Sequence, residues 1–259
     1  MKRQSHKVGE MTRYEFHKLF KSPGPVVLPV IHVLDTPRTI ENVRVVVGEG
    51  AHGCFLINHD FGLDPFMPII KEVRTAFPSL WMGINFLGVT GRVAFPVLGD
   101  LEHDGCLTDA YWADDARINE HANSQAEADA ISASREVSGW SGMYFGGTAF
   151  KQQRPVEPEH YEAAARNACP FMDVITTSGI ATGEEADLSK IEAFRAGVGD
   201  RPMALASGIT PDNARAYSDV DCFMVATGIN QPGNFYDIDP ARLSRLMKVA
   251  RTIGGGTVS

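Results

Sequence analysis

The feature that most constrains this 259-residue sequence is a repeating unit of about 30 residues, in which a short apolar run precedes a helical pattern. Strands that alternate with helices through short links favour a parallel sheet with right-handed crossovers. Eight such units predict closure into a (β/α)8 TIM barrel, which needs roughly 250 residues. A doubly wound open sheet is the alternative arrangement of the same pattern.

The strands are placed on the apolar runs of the repeat, and their limits decide which residues reach the barrel mouth. The fourth strand, near Gly105–Tyr111, has the weakest pattern and is followed by a long polar stretch. The other predicted strands are Val26–Val33, Gly53–His59, Leu80–Leu87, Trp140–Phe145, Met172–Thr177, Pro202–Ala206 and Cys222–Ala226.

A short segment precedes the repeat. Thr12 and Glu15 have capping-box spacing, apolar residues follow them, and a Pro-Gly-Pro run ends the segment at residue 25. We therefore expect residues 1–24 to form an N-terminal helical extension that covers the lower mouth of the barrel. Residues 25–259 then form one barrel domain, because no linker or change in composition marks a second.

Charge and composition narrow the classes of partner. The formal net charge of −8 argues against a nucleic-acid partner, which needs a basic face. It does not argue against a phosphate ligand, because backbone N–H groups can make one site locally positive. The four cysteines lack CxxC and zinc spacing, and neither a membrane span nor a secretory signal is found. We expect a cytoplasmic protein without cofactor or metal, and a homo-oligomer is compatible with the sequence.

The strongest functional signal follows the last two strands. Strand seven runs into Ser207-Gly208-Ile209, and strand eight runs into Thr227-Gly228. Glycine lets a backbone N–H approach an anion closely, and TIM barrels often bind phosphate at these two strand ends. The sequence therefore predicts a phosphate site here. The alternative is that both glycines only make tight turns.

A family resemblance runs through most of the chain, from about residue 25 to residue 246. It rests on PVIHVLD in strand one, MGINFLG in strand three, TTSGIATG after strand six, ASGITPDNA, FMVATGI and the later DIDPARL. In their order and spacing these segments resemble the BtpA family. The resemblance implies a ribulose-phosphate-binding type of barrel, in a family that includes a protein linked to photosystem I biogenesis. The polar segment YWADDARINEHANSQAEA after strand four departs from the family pattern.

Polar residues at other strand ends supply candidates for chemistry. We expect Asp60 and Asp109 to share acid–base work across the mouth, with Lys151 neutralising charge on oxygen and His59 as a further catalytic candidate. A Schiff-base role for Lys151 is disfavoured, because strand six ends in Thr-Thr-Ser. No HxH or HExxH spacing supports a metal site. The residues predicted to bind substrate are Asn58, Asn85, Thr177, Ser178 and Gly179.

Two classes of function fit these observations. The first is an enzyme that acts on a small phosphorylated metabolite, a sugar or ribose phosphate, by isomerase, lyase or ribosyl-transfer chemistry. The second is a non-catalytic assembly or stability factor that keeps a phosphate pocket. Polar residues at several strand ends favour the enzyme, although the fold alone does not decide, since this barrel hosts many chemistries.

Overall fold

The computed structural model describes residues 9–151 and 153–253. The ends of the two predicted segments, residues 1–8 and 254–259, lie outside the described residues. Eight parallel strands close into a barrel in chain order, and β1 pairs with β8. The predicted TIM barrel is thus confirmed, and the open sheet is excluded. The strands are β1 Val26–Val33, β2 Cys54–Asn58, β3 Met82–Phe86, β4 Ala110–Ala113, β5 Met143–Gly147, β6 Val174–Thr177, β7 Met203–Leu205 and β8 Cys222–Val225.

Helices connect most successive strands on the outside of the barrel. The connection between β7 and β8 is shorter and holds a 3-10 turn, Ala214–Tyr217, and a second such turn, Pro158–His160, precedes α6. The α-helices are α1 Arg13–Phe20, α2 Thr36–Gly48, α3 Leu63–Ala76, α4 Gly91–His103, α5 Ala126–Ser138, α6 Tyr161–Ala168, α7 Leu188–Val198 and α8 Pro240–Thr252.

The first helix, α1, closes the amino end of the barrel. Thr12 and Glu15 make the predicted capping box, in which each side chain accepts from the backbone N–H of the other residue. Phe16 is fully buried, with its ring centroid 6.4 Å from that of Phe145 on β5. Phe20 packs against Trp81, with centroids 5.1 Å apart. Helix α1 therefore packs against the interior of the barrel at its amino end.

Alternation of side chains along each strand separates two apolar cores. Val30 and Ile57 face the barrel interior, whereas Ile31 and Leu56 face the surrounding helices. The same alternation continues into the loops. It therefore decides which residues just beyond each strand point into the mouth.

The fourth strand lies further along the chain than predicted, and this moves one site candidate. Strand β4 begins at Ala110, so Asp109 lies just before it, at the amino end of the barrel. Its carboxylate accepts from Arg74 Nη2 at 2.8 Å and from the backbone N–H of Met82 at 2.9 Å. The expectation that Asp109 lies in the barrel mouth is therefore wrong. The apolar run that forms the strand is Ala-Tyr-Trp-Ala, and the glycine-containing residues before it form a loop.

The contact made by Asp109 recurs at two further corners of the barrel. Asp173, before β6, accepts from Arg135 Nη2 at 2.7 Å and from the N–H of Tyr144 at 2.7 Å. Asp221, before β8, accepts from Arg195 Nη2 at 2.6 Å and from the N–H of Met203 at 2.9 Å. In each case the arginine lies on the helix that leads into the preceding strand. We call this arrangement the aspartate corner.

The corner at Asp221 also holds the N-terminal helix. Its fully buried carboxylate accepts from Arg13 Nε at 2.8 Å and lies 3.0 Å from His17 Nε2, both on α1. Burial by itself would raise the pKa of Asp221, but the hydrogen bond from His17 and the charges of Arg195 and Arg13 outweigh burial and lower it. The carboxylate is thus held ionised among three basic side chains.

Replacing this carboxylate should destabilise the whole barrel. We expect Asp221→Asn to lower the free energy of unfolding by about 3 kcal/mol, because Arg195 and Arg13 lose a fully buried counter-charge. Asp212→Asn is the control, since Asp212 pairs with Arg245 on the surface with its side chain 82% exposed and should change stability by about 0–1 kcal/mol. Urea denaturation measures both. Because the pKa of Asp221 is lowered by folding, its stabilisation should be lost as pH falls through that pKa. Equal effects of the two variants would contradict the structural role.

Candidate active site

A cavity of about 310 Å³ opens at the carboxyl ends of the strands. Its lining comes from β1, β2, β4 and β8 and from the loops that follow β2, β3, β4, β5, β6, β7 and β8. This is the end at which TIM barrels carry their active sites.

The five residues predicted to bind phosphate all line one cavity: Ser207, Gly208, Ile209, Thr227 and Gly228. Within the described chain, the backbone N–H groups of the last four donate to no acceptor. Gly208 has a φ of +68°, a left-handed conformation that favours glycine. Two strand ends thus bring unpaired N–H donors to one side of the cavity, as an anion site requires.

Both glycines also have a packing role. A Cβ on Gly208 would lie 2.4 Å from the carbonyl oxygen of Glu184, and one on Gly228 would lie 1.9 Å from that of Ile209. Side chains at these positions would therefore push apart the loops after β6, β7 and β8. The glycines make tight turns and leave N–H groups open to an anion at the same time.

The loop after β6 supports the cavity from behind. Ser178 Oγ accepts from the backbone N–H of Lys151 at 2.7 Å, and Ser207 Oγ accepts from the N–H of Gly179 at 2.6 Å. The Thr177 hydroxyl contacts the carbonyl of Ala149 at 3.4 Å. None of the three predicted substrate-binding residues of this loop lines the cavity. Thr182 and Gly183, further along the loop, do.

Lys151 enters the cavity from the end of β5. Its ammonium donates to the carbonyl oxygen of Ala206 at 3.0 Å. Ala206 directly follows β7 and precedes the predicted phosphate-binding residues. Burial lowers the pKa of Lys151, and the negative charge of Asp114 opposes this shift. A lysine of this kind can exchange a proton nearer to neutral pH than an exposed lysine does.

Asp114 is the carboxylate that the sequence analysis did not assign to the site. It lies just beyond β4 and lines the cavity, on the same inward face as Trp112. Asn85 Nδ2 donates to Asp114 Oδ1 at 3.2 Å, and burial raises the pKa of the carboxyl group. Asn85 thus positions the carboxylate from the barrel interior. The observed limits of β4 would have identified Asp114, because it lies two residues after Trp112 and alternation places both side chains on the inward face.

The Asn-His-Asp sequence at the end of β2 places only its histidine in the cavity lining. His59 lines the cavity, whereas Asn58 connects two loops by donating to Phe61 O at 2.7 Å and accepting from the N–H of Leu87 at 3.0 Å. Asp60 is exposed at the rim, where it accepts from the hydroxyl of Tyr236 at 2.7 Å. Neither Asn58 nor Asp60 lines the cavity.

His32, at the end of β1, lies inside the cavity wall with Phe235 stacked on its ring at a centroid distance of 3.8 Å. Burial, together with the nearby charges of His59 and Lys151, lowers the pKa of His32 to about 4. His32 is therefore neutral near pH 7. Phe235 had no signal in the strand pattern, because it belongs to the long loop after β8.

A buried lysine outside the cavity holds two of these loops. Lys190, on α7, donates to Ala149 O at 2.6 Å and to Ser178 O at 2.7 Å. Burial lowers the pKa of Lys190 to about 8. Its ammonium thus joins the loop that carries Lys151 to the loop after β6, and so supports the position of Lys151.

Comparison with known proteins shows the fold. The chain matches no known protein family and no curated protein in sequence. Among solved structures, the tryptophan synthase alpha chain from Legionella pneumophila subsp. pneumophila superposes with a TM-score of 0.61 at 14% identity, covering 95% of this chain and 100% of the other. Phosphoribosyl anthranilate isomerase from Thermus thermophilus gives 0.57 at 14% identity, covering 86% and 96%. At such identity the likeness establishes a TIM barrel and leaves the chemistry open.

The described residues contain no helix that is long and apolar enough to cross a membrane. Within the same ranges, no group of three or more His, Cys, Asp or Glu side chains is arranged to hold a metal ion. All four cysteines are free thiols, and three of them are buried.

The buried neutral state of His32 predicts a pH dependence of stability. Because folding lowers its pKa from about 6.5 to about 4, the unfolded chain binds a proton first as pH falls. Stability should therefore decrease between about pH 6.5 and 4, by roughly 3 kcal/mol from this residue. His32→Gln should remove that part of the loss. Urea midpoints at pH 7 and pH 4.5 measure it, and parallel losses in parent and variant would contradict the assignment.

Proposed function

We propose that this protein is an enzyme that acts on a small phosphorylated metabolite by acid–base chemistry. The observation that supports it most is that unpaired backbone N–H groups of Gly208, Ile209, Thr227 and Gly228 share one cavity with Lys151. A phosphate at those N–H groups would anchor one end of the substrate. The reacting atoms would then lie among the side chains of the cavity.

The acid–base groups of this proposal are Asp114 and Lys151. Burial raises the pKa of the first and lowers that of the second, which brings both nearer to neutral pH. The Asp114 carboxylate can therefore take a proton from the substrate, and the Lys151 ammonium can stabilise the negative charge that this leaves on a neighbouring substrate oxygen. His59 lines the same cavity and is a further proton carrier. Isomerase, lyase and ribosyl-transfer reactions all use such groups.

The structural neighbours add support of a general kind. Several of them carry names that state a phosphorylated compound, among them the phosphoribosyl anthranilate isomerase and a 2-dehydro-3-deoxyphosphogluconate aldolase of TM-score 0.54 and 12% identity, which covers 90% of this chain. The BtpA resemblance, the cytoplasmic location and a homo-oligomeric state stay predictions of the sequence. A non-catalytic factor that keeps a phosphate pocket is less favoured, because ionisable side chains line the cavity beside the anion site.

The anion site can be tested at Thr227, whose side chain is exposed in the cavity lining and leaves the glycine packing untouched. Thr227→Asp places a negative charge beside the N–H groups and should weaken binding of inorganic phosphate about tenfold or more. Thr227→Asn is the neutral control and should stay within about twofold of the parent. Isothermal titration measures the Kd. If phosphate binds the Asp variant as tightly as the parent, the anion site is elsewhere.

Turnover tests the acid–base groups, after a thermal-shift screen of phosphorylated metabolites has supplied a substrate. Lys151→Met and Asp114→Asn should each lower kcat by roughly 10²–10⁴-fold with little change in KM. Asp60→Asn is the comparison, and should stay within a few-fold because Asp60 is exposed and bonded to Tyr236. Thermal midpoints check that each variant folds. Loss of turnover in Asp60→Asn alone would return the catalytic role to Asp60.

A further inference from the structure

The walls of the cavity are largely apolar. Below the anion site they are formed by Val30, Ile57 and Met224, which are almost fully buried in the barrel interior. Leu87 and Trp112 continue the wall across the mouth. A surface of this kind gains free energy by covering apolar atoms and offers no partners to hydroxyl groups.

Three polar side chains of the cavity already contact the protein. Ser207 Oγ accepts from Gly179, and the Lys151 ammonium donates to Ala206. One oxygen of Asp114 accepts from Asn85. A sugar chain with several hydroxyls would leave some of them unpaired against apolar walls, and unpaired buried hydroxyls weaken binding.

An aromatic ring completes the wall on the side of β1. Phe235 is half-buried, stacks on His32 and lies with its centroid 5.1 Å from that of His59, edge to face. The loop that carries it is fixed at several points. Asn230 and Ile238 form a β-bridge, and Arg38 makes a double contact to Asp237. The position of the Phe235 ring is therefore set before any ligand binds.

We propose that the natural substrate is a phosphate monoester whose organic part carries a flat, largely apolar ring, and that Phe235 selects it. This inference rests on the proposed phosphate site. With the phosphate at the N–H groups, the ring would lie on the apolar wall and contact Phe235 and Trp112. Aromatic pairs in offset or edge-to-face geometry favour such rings over open polyols.

Binding of matched probes tests the inference. The probes are phenyl phosphate and benzyl phosphate, compared with glycerol 3-phosphate, ribose 5-phosphate and inorganic phosphate, all by isothermal titration. We expect the two ring-bearing esters to bind about tenfold or more tighter than either polyol phosphate. Equal or tighter binding of ribose 5-phosphate would overturn the ring preference and leave the phosphate site standing. If no probe binds, inorganic phosphate included, both the proposed function and this inference fall.

A pair of variants tests whether Phe235 causes the preference for ring-bearing phosphate esters. Phe235→Leu should weaken the ring-bearing esters about fivefold or more while inorganic phosphate stays within about twofold. Phe20→Leu is the matched control, a half-buried phenylalanine at the opposite end of the barrel, and should leave all five ligands unchanged. Thermal midpoints confirm that both variants fold. Unchanged affinity of phenyl and benzyl phosphate for Phe235→Leu would overturn the role of Phe235.

Discussion

The aspartate corners are the interactions on which the rest of the structure depends. At each corner a carboxylate just before an even-numbered strand accepts from an arginine and from the first N–H groups of the preceding strand. A parallel strand pair has evenly spaced ladder bonds and could slip by one residue, which would turn every side chain to the other face. A charged contact at the strand start opposes such a slip. A fourth corner differs, since there the N–H of Val27 donates to His52 Nδ1 at 3.0 Å.

The register of the strands at the amino end of the barrel decides which side chains face the cavity at the carboxyl end. Because Asp109 is fixed before β4, the strand presents Trp112 and Asp114 to the interior. The same parity turns His59 into the cavity and Asn58 away from it. The contacts that stabilise the barrel therefore lie at the amino ends of the strands, and the cavity lies at their carboxyl ends. By fixing the strand register, the residues at the amino ends position the cavity residues without touching them.

The loops at the mouth combine close packing with open donors. The glycines after β7 and β8 allow three loops to approach to within contact distance, and in the described part of the chain four N–H groups of these turns donate to no acceptor. Lys190 joins the loops after β5 and β6 through two carbonyl oxygens. The cavity thus has a rigid polar rim over an apolar floor, which suits a ligand with one anionic end.

The sequence by itself determined the barrel and the capped first helix, because apolar runs and a capping box are local patterns. The glycines after two strands, also a local pattern, predicted a phosphate site, and the five residues of that prediction line one cavity. It could not place Asp109 or Asp114, since a shift of a few residues in the weakest strand exchanges the two ends of the barrel. It also could not show that Phe235 stacks on His32, or that Lys190 reaches Ala149. Those contacts join residues far apart in the chain, and only the folding of the barrel brings them together.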